Sequence, residues 1–139
     1  YYIQEGSLRI FFEDEYEEHT IRLGYQGNFI GSLDSFISGN PSELYIQAIK
    51  KCSVKMITKT NFMALVNQSS ENLNLWHICL SLLIYQQIER EKDLLTSSPL
   101  ERYKRVLARS PHLFQEIPSK YIASYLRMTP ETLSRIKKS

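Results

Sequence analysis

The sequence predicts an α+β fold: a small antiparallel barrel or roll, one long helix, and a helix-turn-helix at the end of the chain. Three observations carry that expectation. Residues 1–59 alternate in strand fashion between glycine corners. Residues 69–95 hold an apolar stripe too wide for one packing surface. Residues 117–138, IPSKYIASYLRMTPETLSRIKK, read as a helix, a tight break and a second short helix with a basic end.

In the first region, Tyr2-Ile3-Gln4 leads through Glu5-Gly6-Ser7, a turn, into Leu8-Arg9-Ile10-Phe11-Phe12. Residues 13–18 form an acidic hairpin tip. Ile21, Leu23 and Tyr25 then alternate with Arg22 and Gly24. Tyr45-Ile46-Gln47-Ala48-Ile49 and Val54-Lys55-Met56-Ile57 are further strands, with tight corners from the glycines at 24, 27, 31 and 39. Many short strands with such corners suggest a roll or barrel.

The second region is helical. Thr60-Asn61 can cap a short helix through Val66, and Ser69 or Ser70 starts a long one to about Leu95. Leu75, Ile78, Leu82 and Tyr85 fall at coiled-coil spacing. One face of this helix can pack on the strands and this one on a partner helix, which favours a homodimer, since so small a chain has little else to cover both faces. A single central helix buried within a monomer is the alternative. Ser98-Pro99-Leu100-Glu101 is a capping box with Pro at the first helical position. It starts a helix through about Arg109, which Ser110-Pro111 closes, and leaves 96–98 as a hinge.

In the last region Ser119 can cap a helix whose inner side is Ile122, Ala123 and Leu126. Thr129 offers a capping hydroxyl, Pro130 suits the first helical position, and Glu131 favours the positive helix start. Leu133 and Ile136 face inward, leaving Thr132, Arg135, Lys137 and Lys138 outward. That is the layout of a helix-turn-helix whose second helix enters the DNA major groove. An ordinary αα-hairpin would satisfy the same spacing. Charge favours the first reading. Residues 1–100 hold 8 Lys/Arg against 12 Asp/Glu, and residues 101–139 hold 9 against 3. A basic end on an acidic body fits an anionic partner.

Other classes find little support. The composition, 42% hydrophobic and 23% charged, is that of a folded soluble protein. Cys52 and Cys79 make no CxxC and read as buried thiols in a reducing compartment, so the cytoplasm is expected. No signal peptide or membrane-length apolar run occurs in the sequence. His19, His77 and His112 each stand alone, so no metal site is expected. No GxSxG, P-loop or HExxH occurs, and no catalytic residue is assigned.

Two motifs make the reading specific. Gly27-Asn28-Phe29-Ile30-Gly31 and Thr129-Pro130-Glu131-Thr132-Leu133-Ser134-Arg135-Ile136 stand in the order roll, long helix, hinge, helix-turn-helix. The first resembles the GDFIG turn, and the second the SRETVGRI recognition helix, of the CRP/FNR superfamily of bacterial transcription regulators. The wording around 94–103 and 129–138 is most similar to its Bacteroidetes-type branch. The resemblance covers essentially the whole chain. It implies a cupin-like roll (a double-stranded β-helix) and a winged-helix-like helix-turn-helix. It divides the chain into 1–68, a partial cyclic-nucleotide-binding-like roll whose first strands are absent from this sequence; 69–97, a dimerisation helix and hinge; and 98–139, the DNA-binding domain.

The resemblance also locates an effector pocket at Gly31, Ser32, Ser42, Glu43 and Leu44. In nucleotide-binding members a glutamate follows the second Gly of the turn; here it is Ser32. The family's Arg-Ser-Ala becomes Ser42-Glu43-Leu44. A buried phosphate would lose its arginine and meet Glu43 instead, at a cost of several kcal/mol. The pocket is therefore expected to be degenerate, without cyclic AMP as its ligand. An iron–sulfur sensor would need four cysteines and a haem sensor an axial ligand, so no cofactor is expected.

On the recognition helix, Arg135 can pair with guanine O6/N7, and Glu131 can accept from cytosine N4. Both match base-reading positions of the family. Lying four apart, they share a helix face and can support each other. Ser119, Lys120, Thr129 and Thr132, with Lys137 and Lys138 at the basic end, are candidates for phosphate contacts. Pro130 stands where the family has an arginine, and Arg127 replaces the usual turn glycine, which implies a slightly strained or altered turn. The expectation is a homodimer on an inverted repeat of double-stranded DNA, with RNA polymerase as a further candidate partner. The alternative is a small-molecule-binding sensor with a non-functional helix-turn-helix.

Overall fold

Gly6 joins the first two strands at φ +85°, where an added Cβ would lie 2.2 Å from the Lys51 carbonyl oxygen. Only glycine fits there without moving backbone. The computed structural model describes residues 1–138. Its strands are β1 (Tyr2–Glu5), β2 (Ser7–Glu13), β3 (Glu18–Tyr25), β4 (Tyr45–Ala48) and β5 (Ser53–Lys55). They form two small antiparallel sheets. One runs in the order β3-β2-β4; the other pairs β1 with β5. The expected hairpin tip follows β2. There Asp14 Oδ1 accepts from the amides of Tyr16 and Glu17, each at 2.9 Å. The inner core of the strands is Ile3, Leu8, Ile10 and Ile30.

β3 departs from simple alternation. A bulge at Ile10/Phe11 of β2 shifts the register, and the buried residues of β3 are Thr20 and Gly24. Leu23 and Tyr25 instead pack against the C-terminal helices. A short helix α1 (Leu33–Ser38), which the strand pattern does not announce, follows Ser32 and ends at Gly39, φ +77°.

Helix α2 (Lys59–Val66) is capped by Thr58, not by Thr60-Asn61, because the Thr58 hydroxyl is the one that accepts from the Asn61 amide, at 3.3 Å. Helix α3 (Ser70–Leu95) is capped by Ser69. On one side of α3, Trp76 packs edge-on to Phe62 and Phe36, with ring centroids 5.1 and 6.0 Å away. Helix α4 (Pro99–Arg109) starts as expected, with Ser98 Oγ accepting from the Glu101 amide. The Glu101 carboxylate pairs with Lys104 rather than closing the capping box.

Three short helices complete the chain: α5 (Leu113–Glu116), α6 (Ser119–Tyr125) and α7 (Pro130–Lys138). Among the described residues no strand lies beyond Lys55, so the expected wing is not found beside the helix-turn-helix. Pro111 and Pro118 frame the segment that leads into α6, and neither can donate to a ladder. Val106, Leu113, Ile117, Ile122, Ala123, Leu126 and Leu133 form the C-terminal core; Ile136 is only half-buried. No described helix is long and apolar enough to cross a membrane.

Candidate nucleic-acid interface

The helix-turn-helix is built from α6, a tight turn and α7. Pro118 occupies the cap position of α6 and makes no capping bond, so Ser119 is the first helical residue rather than the cap. Its hydroxyl is thereby free to accept from Lys137 Nζ at 2.9 Å. Ile122, Ala123 and Leu126 are buried, as their spacing predicts. Arg127 then turns the chain at φ +52°, in the left-handed region that glycine favours. Its amide and that of Met128 donate back to Ser124 and Ala123. Thr129 Oγ1 accepts from the Thr132 amide at 3.2 Å and starts α7.

Leu133, fully buried, pins α7 to the core. The opposite face carries Glu131, Ser134, Arg135 and Lys138, all exposed. Among the described residues, neither the Glu131 nor the Arg135 side chain makes a hydrogen bond or an ion pair. The mutual support expected of them does not form, and both head groups are open to solvent. The other polar residues of the motif are partly engaged. Thr132 bonds Thr129, Lys137 holds Ser119, and the Lys120 ammonium lies 4.6 Å from the centroid of the Tyr121 ring.

Behind this surface stands a set of charged residues that the sequence reading did not single out. Asp93 of α3 is fully buried and pairs with Arg105 and Arg109 of α4, at 2.9 and 2.5 Å. Glu89 joins Arg105 at 3.1 Å. The bond to Asp93 raises the pKa of Arg109. Arg90 stacks on the Tyr125 ring and donates to the Tyr125 carbonyl; burial lowers its pKa. The signal was present: Glu89 and Asp93 lie four apart on one helix, Arg105 and Arg109 four apart on the next, so each pair presents one face to the other.

The strand body also holds α6. Ser124 Oγ donates to Thr20 Oγ1 at 3.0 Å and accepts from the Thr20 amide at 3.2 Å. The Arg9 guanidinium packs on both Phe11 and Tyr121, 3.9 and 4.9 Å from the ring centroids.

At the positions expected to form an effector pocket, the polar groups bond one another and Asp34. Ser42 Oγ donates to the Asp34 carboxylate at 2.9 Å, and the Glu43 amide donates to it at 3.1 Å. Partial desolvation opposes the Asp34 charge, but bonds from the Ser35 amide, Ser42 and Glu43 outweigh it and lower its pKa. Gly31 and Ser32 lie just before α1, and Ser32 makes no capping bond. The Leu44 amide donates to Ser42 Oγ. On α3, Leu75, Ile78, Leu82 and Tyr85 are 49–60% exposed.

No family model and no curated protein matches the chain. Solved structures do. A CooA double mutant from Carboxydothermus hydrogenoformans aligns with 99% of the chain, at a TM-score of 0.70 and 17% identity. The c-di-GMP responsive global regulator CLP of Xanthomonas campestris aligns at 0.63 and 18%, and the catabolite activator protein of Thermus thermophilus at 0.53 and 21%, each over 99% of the chain. All three neighbours are CRP/FNR family transcription regulators. The chain has the CRP/FNR fold. At these identities the likeness is one of fold. The chain spans 64%, 74% and 66% of the lengths of the three neighbours, in that order.

Proposed function

We propose that this chain is a cytoplasmic, homodimeric transcription regulator that reads DNA sequence with α7. One observation carries the reading. Leu133 fixes the inner side of α7 while Glu131 and Arg135, one turn apart, stand exposed and unpaired. Polar heads held ready on a rigid helix are what base readout needs. Ser119, Lys120, Thr129, Thr132, Lys137 and Lys138 surround that face and would set register on phosphates. The CRP/FNR fold supports the assignment. The exposed stripe of Leu75, Ile78, Leu82 and Tyr85 supports pairing through α3.

Cyclic AMP is not proposed as the effector. The Ser42 hydroxyl and Glu43 amide already bind a carboxylate, that of Asp34, and residues 42–44 of the sequence include no arginine to neutralise a phosphate. Calorimetric titration with cyclic AMP is expected to show no micromolar binding.

Selection from a random duplex library tests the main reading, with Arg135→Ala as control. Enrichment of a two-fold symmetric site, lost in the control, is expected. Binding should also weaken steeply with salt, since lysines and arginines release phosphate counterions. Absence of any enriched site would instead favour a sensor module without DNA function.

A further inference from the structure

The Arg102 guanidinium makes four bonds, all to backbone carbonyls and none to a carboxylate. Nη1 donates to Thr96 at 2.6 Å and to Ser97 at 3.0 Å. Nε donates to Leu126 at 2.9 Å and Nη2 to Arg127 at 3.1 Å. The first two carbonyls belong to the break between α3 and α4. The last two belong to the turn between α6 and α7. One side chain thus joins the two joints of the chain that lie between the exposed apolar stripe of α3 and the reading face of α7.

We infer that Arg102 is a positioning residue that fixes the angle between α3 and α7, and hence the half-site spacing that a pair of these chains accepts on DNA. The inference rests on the proposed DNA reading.

The guanidinium is a rigid planar fork with five donors, so bonds to both segments hold them in one relative arrangement. A lysine is a point donor on a flexible stem and cannot reproduce the fork. The rest of α4 removes other freedom. Arg105 and Arg109 bind Asp93 and Glu89 of α3, so α4 is fixed to α3 by carboxylates and to the turn by Arg102. The segment 96–98 is therefore bridged rather than loose. Arg127, whose carbonyl takes one of the bonds, holds the left-handed backbone conformation that aims α7. Two chains joined along α3 would then present two α7 helices at one separation, on half-sites about 34 Å apart.

The test uses the full chain and a duplex library in which the selected half-site is repeated at varied spacings. The unaltered chain is expected to enrich one spacing. Arg102→Ala and Arg102→Lys are expected to keep the half-site bases while spreading enrichment over neighbouring spacings, with a loss of about tenfold on the best site, or about 1.4 kcal/mol. Arg135→Ala should do the converse and lose the base preference. The lysine variant serves if the alanine variant does not fold, with thermal melting to confirm that it does. An Arg102 variant that melts like the parent and keeps the single spacing overturns the inference. So does uniformly weaker binding at unchanged spacing, which a merely structural role would give. If the unaltered chain enriches no symmetric site, the DNA reading itself fails and this inference falls with it.

Discussion

Seven side chains, from Val106 to Leu133, close a core around the helix-turn-helix, while the inner core of the strands has four, Ile3, Leu8, Ile10 and Ile30. The strand body also leaves Phe29, Met56 and Ile57 well exposed, and a cleft of about 340 Å³ opens between them and Tyr1, Tyr2 and Lys55. The C-terminal unit has the larger buried cluster of the two, and Leu133 seats α7 in it. The strand body supplies a docking surface for that unit through Leu23, Tyr25 and Ile49. The placement of α7 thus rests on Leu133 in the C-terminal core, and that core rests in turn on the strands.

Substitutions in the two regions should differ in cost. Leu133→Ala should have the largest effect, a loss of about 2–5 kcal/mol in urea unfolding, because the site is sealed. A loss well under 1 kcal/mol would mean that the C-terminal core is as loose as the strand body. Asp93→Ala should cost about 3 kcal/mol, since charge-assisted bonds to two arginines go at once. Its effect should largely disappear in the background Arg105→Ala/Arg109→Ala; full additivity would show that the network carries no coupling. Arg127→Gly should raise stability by up to about 1 kcal/mol, as the left-handed backbone is relieved.

Acid should touch the strand body through its hairpin tip. Amides of Tyr16 and Glu17, then His19, hold the Asp14 pKa at about 2, below its ordinary 3.8. The folded value is the lower one. The contribution is therefore complete above pH 3.8 and is lost as pH falls through about 2. The tip is open to water, so the effect is small, and Asp14→Asn should remove it from an acid titration of stability. Phe29→Ser, at a site 82% exposed, should change stability least, within about 0.5 kcal/mol. A larger loss would show that the tilted pair it makes with Tyr2, ring centroids 5.0 Å apart, contributes to stability.

Much of this architecture was legible because local rules decided it. Ser69, Ser98 and Thr129 cap the helices that their spacing marks, and Leu126 and Leu133 face inward as their period requires. At two helix starts the structure differs: Thr58, a neighbour with the same hydroxyl, caps α2 in place of Thr60, and Pro118 stands at the cap position of α6 with no capping bond, one residue before Ser119. Helix α1 was missed because six residues carry too little period to register. Asp34 was missed because it meets Ser42 and Glu43 only after the intervening loop folds back. The role of Arg102 has no sequence signature because its partners are carbonyls, which no residue type announces.

The bonds between Thr20 and Ser124 span 104 positions of the chain. A ribosome adding roughly 5–20 residues per second needs on the order of 5–20 s to cover that distance. Through that interval β3 is made but the helix that covers Leu23 and Tyr25 is not. The seam between the two halves is thus a late event in biogenesis, closed only when synthesis reaches α6, and the strands must stay soluble on their own until then.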